Sequence, residues 1–137
     1  MQPPPDLAAL LPSANALLRT DFEFGRWSGG ETVNGVTQFH YFVFSDEASA
    51  FISAASEGNW VRPEINWSGP SERERYQRLR TKAGAIERAD VQDIAHMLTT
   101  LIRGDRFNEG MLAKAFEEGV IHRILARVSE IAENGNT

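Results

Sequence analysis

The chain has 137 residues, 42% of them hydrophobic and 24% charged, a size and balance that suit one apolar core and exclude disordered or collagen-like classes. It contains no cysteine, which removes disulfides and thiolate metal sites, and no apolar run nears the roughly 20 residues of a membrane-spanning helix. The formal charge of −5 is uneven, since residues 1–67 carry three basic side chains against eight acidic ones; that half disfavours nonspecific nucleic-acid binding and leaves open an acidic face for a basic partner.

Met1-Gln2-Pro3-Pro4-Pro5-Asp6 lacks the basic start and long apolar stretch of a secretory signal, so a cytoplasmic location is expected. A single domain over 1–137 is expected, with flexible tails at 1–5 and 134–137. Leu7, Leu10 and Leu11 open a short helix that Pro12 should break, with Ala14, Leu17 and Leu18 continuing it. Phe22 to Gly25 reads as an edge strand, and Val36 to Phe44, apolar on both faces, as a buried one. Between them Asn34-Gly35 supplies the positive φ angles of a hairpin turn.

Ser45 should cap a helix whose first turn carries Asp46 and Glu47, whose buried face is Ala48, Phe51, Ile52 and Ala55, and which stops at Gly58. The stretch from Asn59 to Trp67 is broken by Pro63 and reads as an extended connector. Ser71 is expected to cap a highly charged helix with a narrow stripe of Tyr76, Leu79, Ala83 and Ile86. Asp90 caps the next, where Val91, Ile94, Ala95, Leu98, Leu101 and Ile102 follow helical spacing up to Gly104. Asn108 is placed as the following N-cap, with Phe107 and Leu112 as a hydrophobic staple; a start at Asp105 competes but puts Gly110 inside the helix. A last helix buries Ile121, Ile124, Leu125, Val128 and Ile131. The fold class is therefore α+β, a small antiparallel β-hairpin or sheet covered by a predominantly helical C-terminal half.

The order of motifs resembles the family known as domain of unknown function 6508, found in bacteria and archaea. The resemblance is carried by Leu7 to Pro12, Phe22-Glu23-Phe24-Gly25, Tyr41 to Ser45, Trp60-Val61-Arg62-Pro63 with Trp67, Arg103 to Ala113 and Phe116-Glu117-Glu118-Gly119. Asn108 stands where the family carries a small capping residue, often cysteine, and Ser68-Gly69-Pro70 where a second tryptophan follows. The resemblance implies a module and brings no biochemistry with it.

Asp105, Arg106 and Glu109 place two carboxylates around a guanidinium near a helix start, which suits anion binding or acid–base work; the same residues also serve as a helix-to-helix joint. His40, His96 and His122 lie on separate elements without ligand spacing, so no metal and no cofactor are expected. His96 falls opposite its apolar stripe and reads as solvated, whereas His40 shares a strand face with Phe42 and Phe44. Trp60 and Trp67, in an irregular connector, are the leading interaction residues. Arg73, Arg75, Arg78, Arg80 and Lys82 point in several directions around one helix and read as a solvated face. No phosphate-binding loop or Gly-x-Ser-x-Gly elbow is present. The expectation is a non-enzymatic protein-interaction or regulatory module, one version being an inhibitor of a host or phage defence complex. A small enzyme or anionic-ligand domain built on Arg106 is the competing class. Another protein is the expected partner, and homo-oligomerisation is left open.

Overall fold

The connections from Leu7 onward alternate short helices with one β-hairpin region, and a computed structural model of the chain describes residues 4–18, 24–28, 32–37, 41–105 and 110–135. Helix α1 (Leu7–Leu17) begins at Asp6, whose carboxylate accepts from the Ala8 amide at 3.1 Å. It runs through Pro12 instead of breaking there. An interior proline removes a ladder hydrogen bond and costs about 3 kcal/mol. Burial of Leu10, Ala14 and Leu17 in the core offsets that cost and holds the helix together. Of the expected flexible ends, residues 1–3 and 136–137 lie outside the described residues, Pro5 is buried, and the last helix extends to Gly135.

Strand β1 (Gly25–Ser28) pairs antiparallel with β4 (Tyr41–Phe44), Gly25 opposite Phe44, and β2 (Thr32–Val33) pairs with β3 (Val36–Thr37). Asn34 and Gly35 take φ of 53° and 79°, the paired left-handed turn that their sequence predicts. The first strand starts at Gly25, after Phe24, and the expected Phe22–Gly25 run is not its extent. In the second run Val36–Thr37 and Tyr41–Phe44 are strands, residues 38–40 lie outside the described residues, and the expected burial fails at Val36, 67% exposed, and Val43, 40% exposed. Phe24 stacks on Phe116 at 5.3 Å, and Phe44 and Phe51 tilt against the same ring at 6.0 and 6.1 Å, tying strand to helix.

Helix α2 (Asp46–Glu57) is capped by the Ser45 hydroxyl, which accepts from Ala48 N, and closes at Gly58 as its sequence predicts. Helix α3 (Pro70–Thr81) starts at Gly69 with Pro70 in the first position, so Ser71 lies inside it. Proline suits that position because its missing amide would have no partner there. The helix ends at Thr81, and Ile86 is buried from a separate 3-10 turn, Ile86–Arg88.

Helix α4 (Val91–Asp105) is the centre of the molecule, buried at ten positions around its circumference. Its start is a reciprocal cap: Asp93 N donates to Asp90 Oδ1 at 2.8 Å, and Asp90 N donates to Asp93 Oδ2 at 3.3 Å. Helices α5 (Met111–Glu117) and α6 (Val120–Gly135) close the other side, α6 burying Val120, Ile121, Ile124, Leu125 and Val128 in the same core. The N-cap of α5 is Gly110 at φ 92°, two residues after the Asn108 cap expected from the sequence. Residues 106–109, including the expected staple and cap, lie outside the described residues.

Candidate functional site

The connector between α2 and α3 carries two indoles to different fates. Asn59 takes a left-handed φ of 65° just after the Gly58 cap and turns the chain inward. Trp60 then enters the core with no exposed surface, and its Nε1 donates to Asp6 O at 2.8 Å. Asp6 N in turn donates to Gly58 O at 2.8 Å, so the start of α1 and the end of α2 close around this ring. Placed as an interaction residue by its connector position, Trp60 is a core residue in the structure.

One α4 side chain locks the next step. Thr99 Oγ1 donates to Trp60 O at 3.1 Å and accepts from Arg62 N at 2.8 Å. The Arg62 side chain is nearly buried, its Nε donating to Glu64 Oε1 at 2.8 Å and its Nη1 to Asn59 O at 3.3 Å. The backbone hydrogen bond and arginine hydrogen bonds draw the Glu64 carboxyl below the usual carboxylate range. With this half fixed, the chain makes a tight turn in which Gly69 N donates to Asn66 O at 2.9 Å. Trp67 sits in that turn, half-buried.

Beside the indole, α4 presents Gly104, which leaves room for Met111. The glycine is buried within the last turn of the helix, and a Cβ there would come within 2.9 Å of Met111 Sδ and 3.5 Å of Trp67 Cζ3. The expected stop at Gly104 is thus replaced by a close approach, with the helix continuing to Asp105. Two clefts meet on Trp67 and Ser68. One, of about 320 Å³, is also lined by Arg73, Tyr76, Gln77, Thr100 and Met111. The other, of about 380 Å³, is shallower and lined by residues 63–66 and Arg103.

The lining comes from two helical stripes: Arg73, Tyr76 and Gln77 on α3, and Thr100, Arg103 and Gly104 on α4, both spaced three and four apart. From the sequence Trp67 is a leading candidate and Tyr76 an aromatic that could line a groove or sit in the core, whereas Arg73 reads as one cation of a solvated helix and Met111 as core. Pro70 was the usable signal. Taken as the first helical residue, it fixes the helical frame in which Arg73, Tyr76 and Gln77 share one face. Burial pushes the Tyr76 phenol up to about 12, so it stays protonated and available as a donor.

The expected charged cluster fares differently. Asp105 Oδ1 accepts from Leu112 N at 3.0 Å and caps α5 from the end of the preceding helix. Arg106, Glu109 and His40 lie outside the described residues. His96 is fully buried, not solvated as its helical position predicts, because α3 covers the polar side of α4. Its Nε2 lies 3.1 Å from Glu72 O, and its Nδ1 lies 2.8 Å from Glu72 Oε2 without an aligned hydrogen bond. Burial, with the Arg75 charge adding to it, lowers the His96 pKa against the opposing pull of Glu72. Among the described residues no group of three His, Asp or Glu side chains is arranged to hold a metal ion, and no helix is long and apolar enough to cross a membrane.

Residues 2–134 match the model of a family of unknown function, DUF6508, and the chain belongs to that family. No curated protein and no solved structure matches it.

Proposed function

We propose that this member of the DUF6508 family is a small non-catalytic recognition module for another protein, and that the groove across Trp67 is its contact surface. The observation that carries this reading is the meeting of two clefts on a half-exposed indole whose backbone is held on both sides. A tryptophan supplies a large, rigid, amphipathic contact at little entropic cost, the usual anchor of a protein interface. Met111 beside it is an adaptable thioether that can repack around an incoming side chain. Among the described residues the acid–base groups near the groove are otherwise committed: Glu64 is paired with Arg62, Asp105 caps α5, the Tyr76 phenol is held protonated, and the His96 ring is closed off from solvent.

Selection from a random peptide display library against the wild-type chain and Trp67→Ala tests the reading. A peptide family enriched on the wild type and lost on the variant is the expected result. Enrichment of the same peptides on both proteins removes the groove from consideration, and no enrichment on the wild type counts against the recognition role itself.

A further inference from the structure

The groove also carries information about the chemistry of its occupant. Arg62, Arg75, Arg80, Arg123 and Arg127 each meet a carboxylate, at 2.6 to 2.8 Å. The side chains of Arg73 and Arg103, one in each cleft, have no ion-pair or hydrogen-bond partner among the described residues. Arg26, Arg78, Lys82 and Lys114 are likewise without an ion pair among the described residues, but only Arg73 and Arg103 of these cations line the clefts. The sole carboxylate in the described lining of the two clefts is Glu64, and Arg62 already holds it at 2.8 Å. The free charge facing the groove is therefore positive on both sides of an apolar centre made by Trp67, Tyr76 and Met111.

We infer that the groove takes an acidic segment of a partner protein, with one bulky apolar side chain seated against Trp67 and Met111 and carboxylates on either side meeting Arg73 and Arg103. This rests on the recognition reading above and narrows it. A guanidinium can take a carboxylate through two parallel hydrogen bonds, which fixes direction as well as adding attraction. The deeper cleft, at about 320 Å³, is at the small end of ligand sites, a fit for a single large side chain. Seating that side chain dry would also strengthen the flanking charge contacts, which water otherwise weakens.

The test uses the full chain and fluorescence anisotropy with four labelled probes: a peptide of leucine flanked by aspartates and glutamates, the same peptide with lysines for the acids, the same with serine for leucine, and a single-stranded oligodeoxynucleotide. The acidic leucine peptide is expected to bind, and the lysine and serine versions to bind at least about tenfold more weakly. Its affinity should fall at least about tenfold in the R73Q/R103Q double variant and decline with added salt, since these charges lie at the surface. Arg73 is exposed and Arg103 half-exposed, and circular dichroism of the double variant should match the wild type. Equal binding of the lysine peptide, or unchanged affinity in R73Q/R103Q, overturns the acidic-segment assignment. Tighter, arginine-dependent binding of the oligonucleotide overturns it in favour of a nucleic acid. If display selection yields Trp67-dependent peptides without acidic residues, only this inference falls; if it yields none that depend on Trp67, the recognition reading falls with it.

Discussion

Trp60 and Trp67 stand seven residues apart in one connector, yet the structure uses them in opposite ways. Trp60 is wholly enclosed, its indole N–H satisfied by a backbone carbonyl and its own carbonyl by Thr99. Trp67 rests on a glycine face at the end of α4 and lines two open clefts. One tryptophan closes the core and the other covers a groove that it also exposes. What separates them is the surrounding surface: Trp60 meets the junction of α1 and α2, which closes around it, while Trp67 faces a cleft whose far wall is α3, which buries little besides Tyr76.

The sharpest way to break this comparison is Trp60→Ala. Removing a fully buried tryptophan costs about 3–5 kcal/mol through lost burial and the cavity left behind, and it also frees the Asp6 carbonyl. Urea denaturation should show the midpoint falling by that equivalent; a loss below about 1 kcal/mol would mean the core does not depend on this ring. Thr99→Val follows. It keeps the shape but removes the hydroxyl that serves both Trp60 O and Arg62 N, leaving a buried carbonyl and amide without partners. The expected cost is about 1–3 kcal/mol, and amide exchange at Arg62 should quicken beyond what the global loss accounts for.

The next effect is a dependence on pH from the contact between α3 and α4. The folded-state pKa of His96 lies below its ordinary 6.5, so below that value the unfolded chain gains a proton that the folded chain resists. This contribution to stability is complete above pH 6.5 and is lost as pH falls towards the depressed folded value. Between roughly pH 5 and 6.5, before most carboxylates titrate, the wild type should lose stability on acidification and His96→Gln should lose less. Parallel curves for the two proteins would remove His96 as the cause. Further down, Glu87, held near 2 chiefly by its hydrogen bonds from Arg123, adds a loss as pH falls from about 4.5.

Much of the fold was legible because its signals are local. The Ser45 cap, the Asn34-Gly35 turn, the Asp90 cap and the apolar spacing of α4 and α6 each depend on a few neighbouring residues. The misreadings share a different cause. Pro12 stays helical because α1 is buried on two sides, and His96 is enclosed because a polar helix covers it. Val36 and Val43, in separate two-stranded sheets, are exposed because nothing among the described residues covers them. Tertiary partners decide each of these, and none is written in the local pattern. The site follows the same rule: Trp67 was identifiable as an indole in an irregular connector, but Gly104 and Met111, which seat it, lie far along the chain.

The smallest expected effect on stability is the one that most sharpens the comparison. Trp67→Ala removes a large ring, and ring size alone predicts a penalty like that of Trp60. The ring, however, is only half-buried, sits over a helix end and borders two open clefts. Water can fill the space it leaves, and Met111 can swing towards Gly104, so no closed cavity remains. The loss should be about 1 kcal/mol or less, read in the same urea experiment that gives several for Trp60→Ala. A loss equal to that of Trp60→Ala would make Trp67 a second core residue and leave the groove without its centre. A small loss, together with abolished peptide selection, would separate the ring's part in recognition from its part in folding, a separation that Trp60, enclosed by α1 and α2, does not permit.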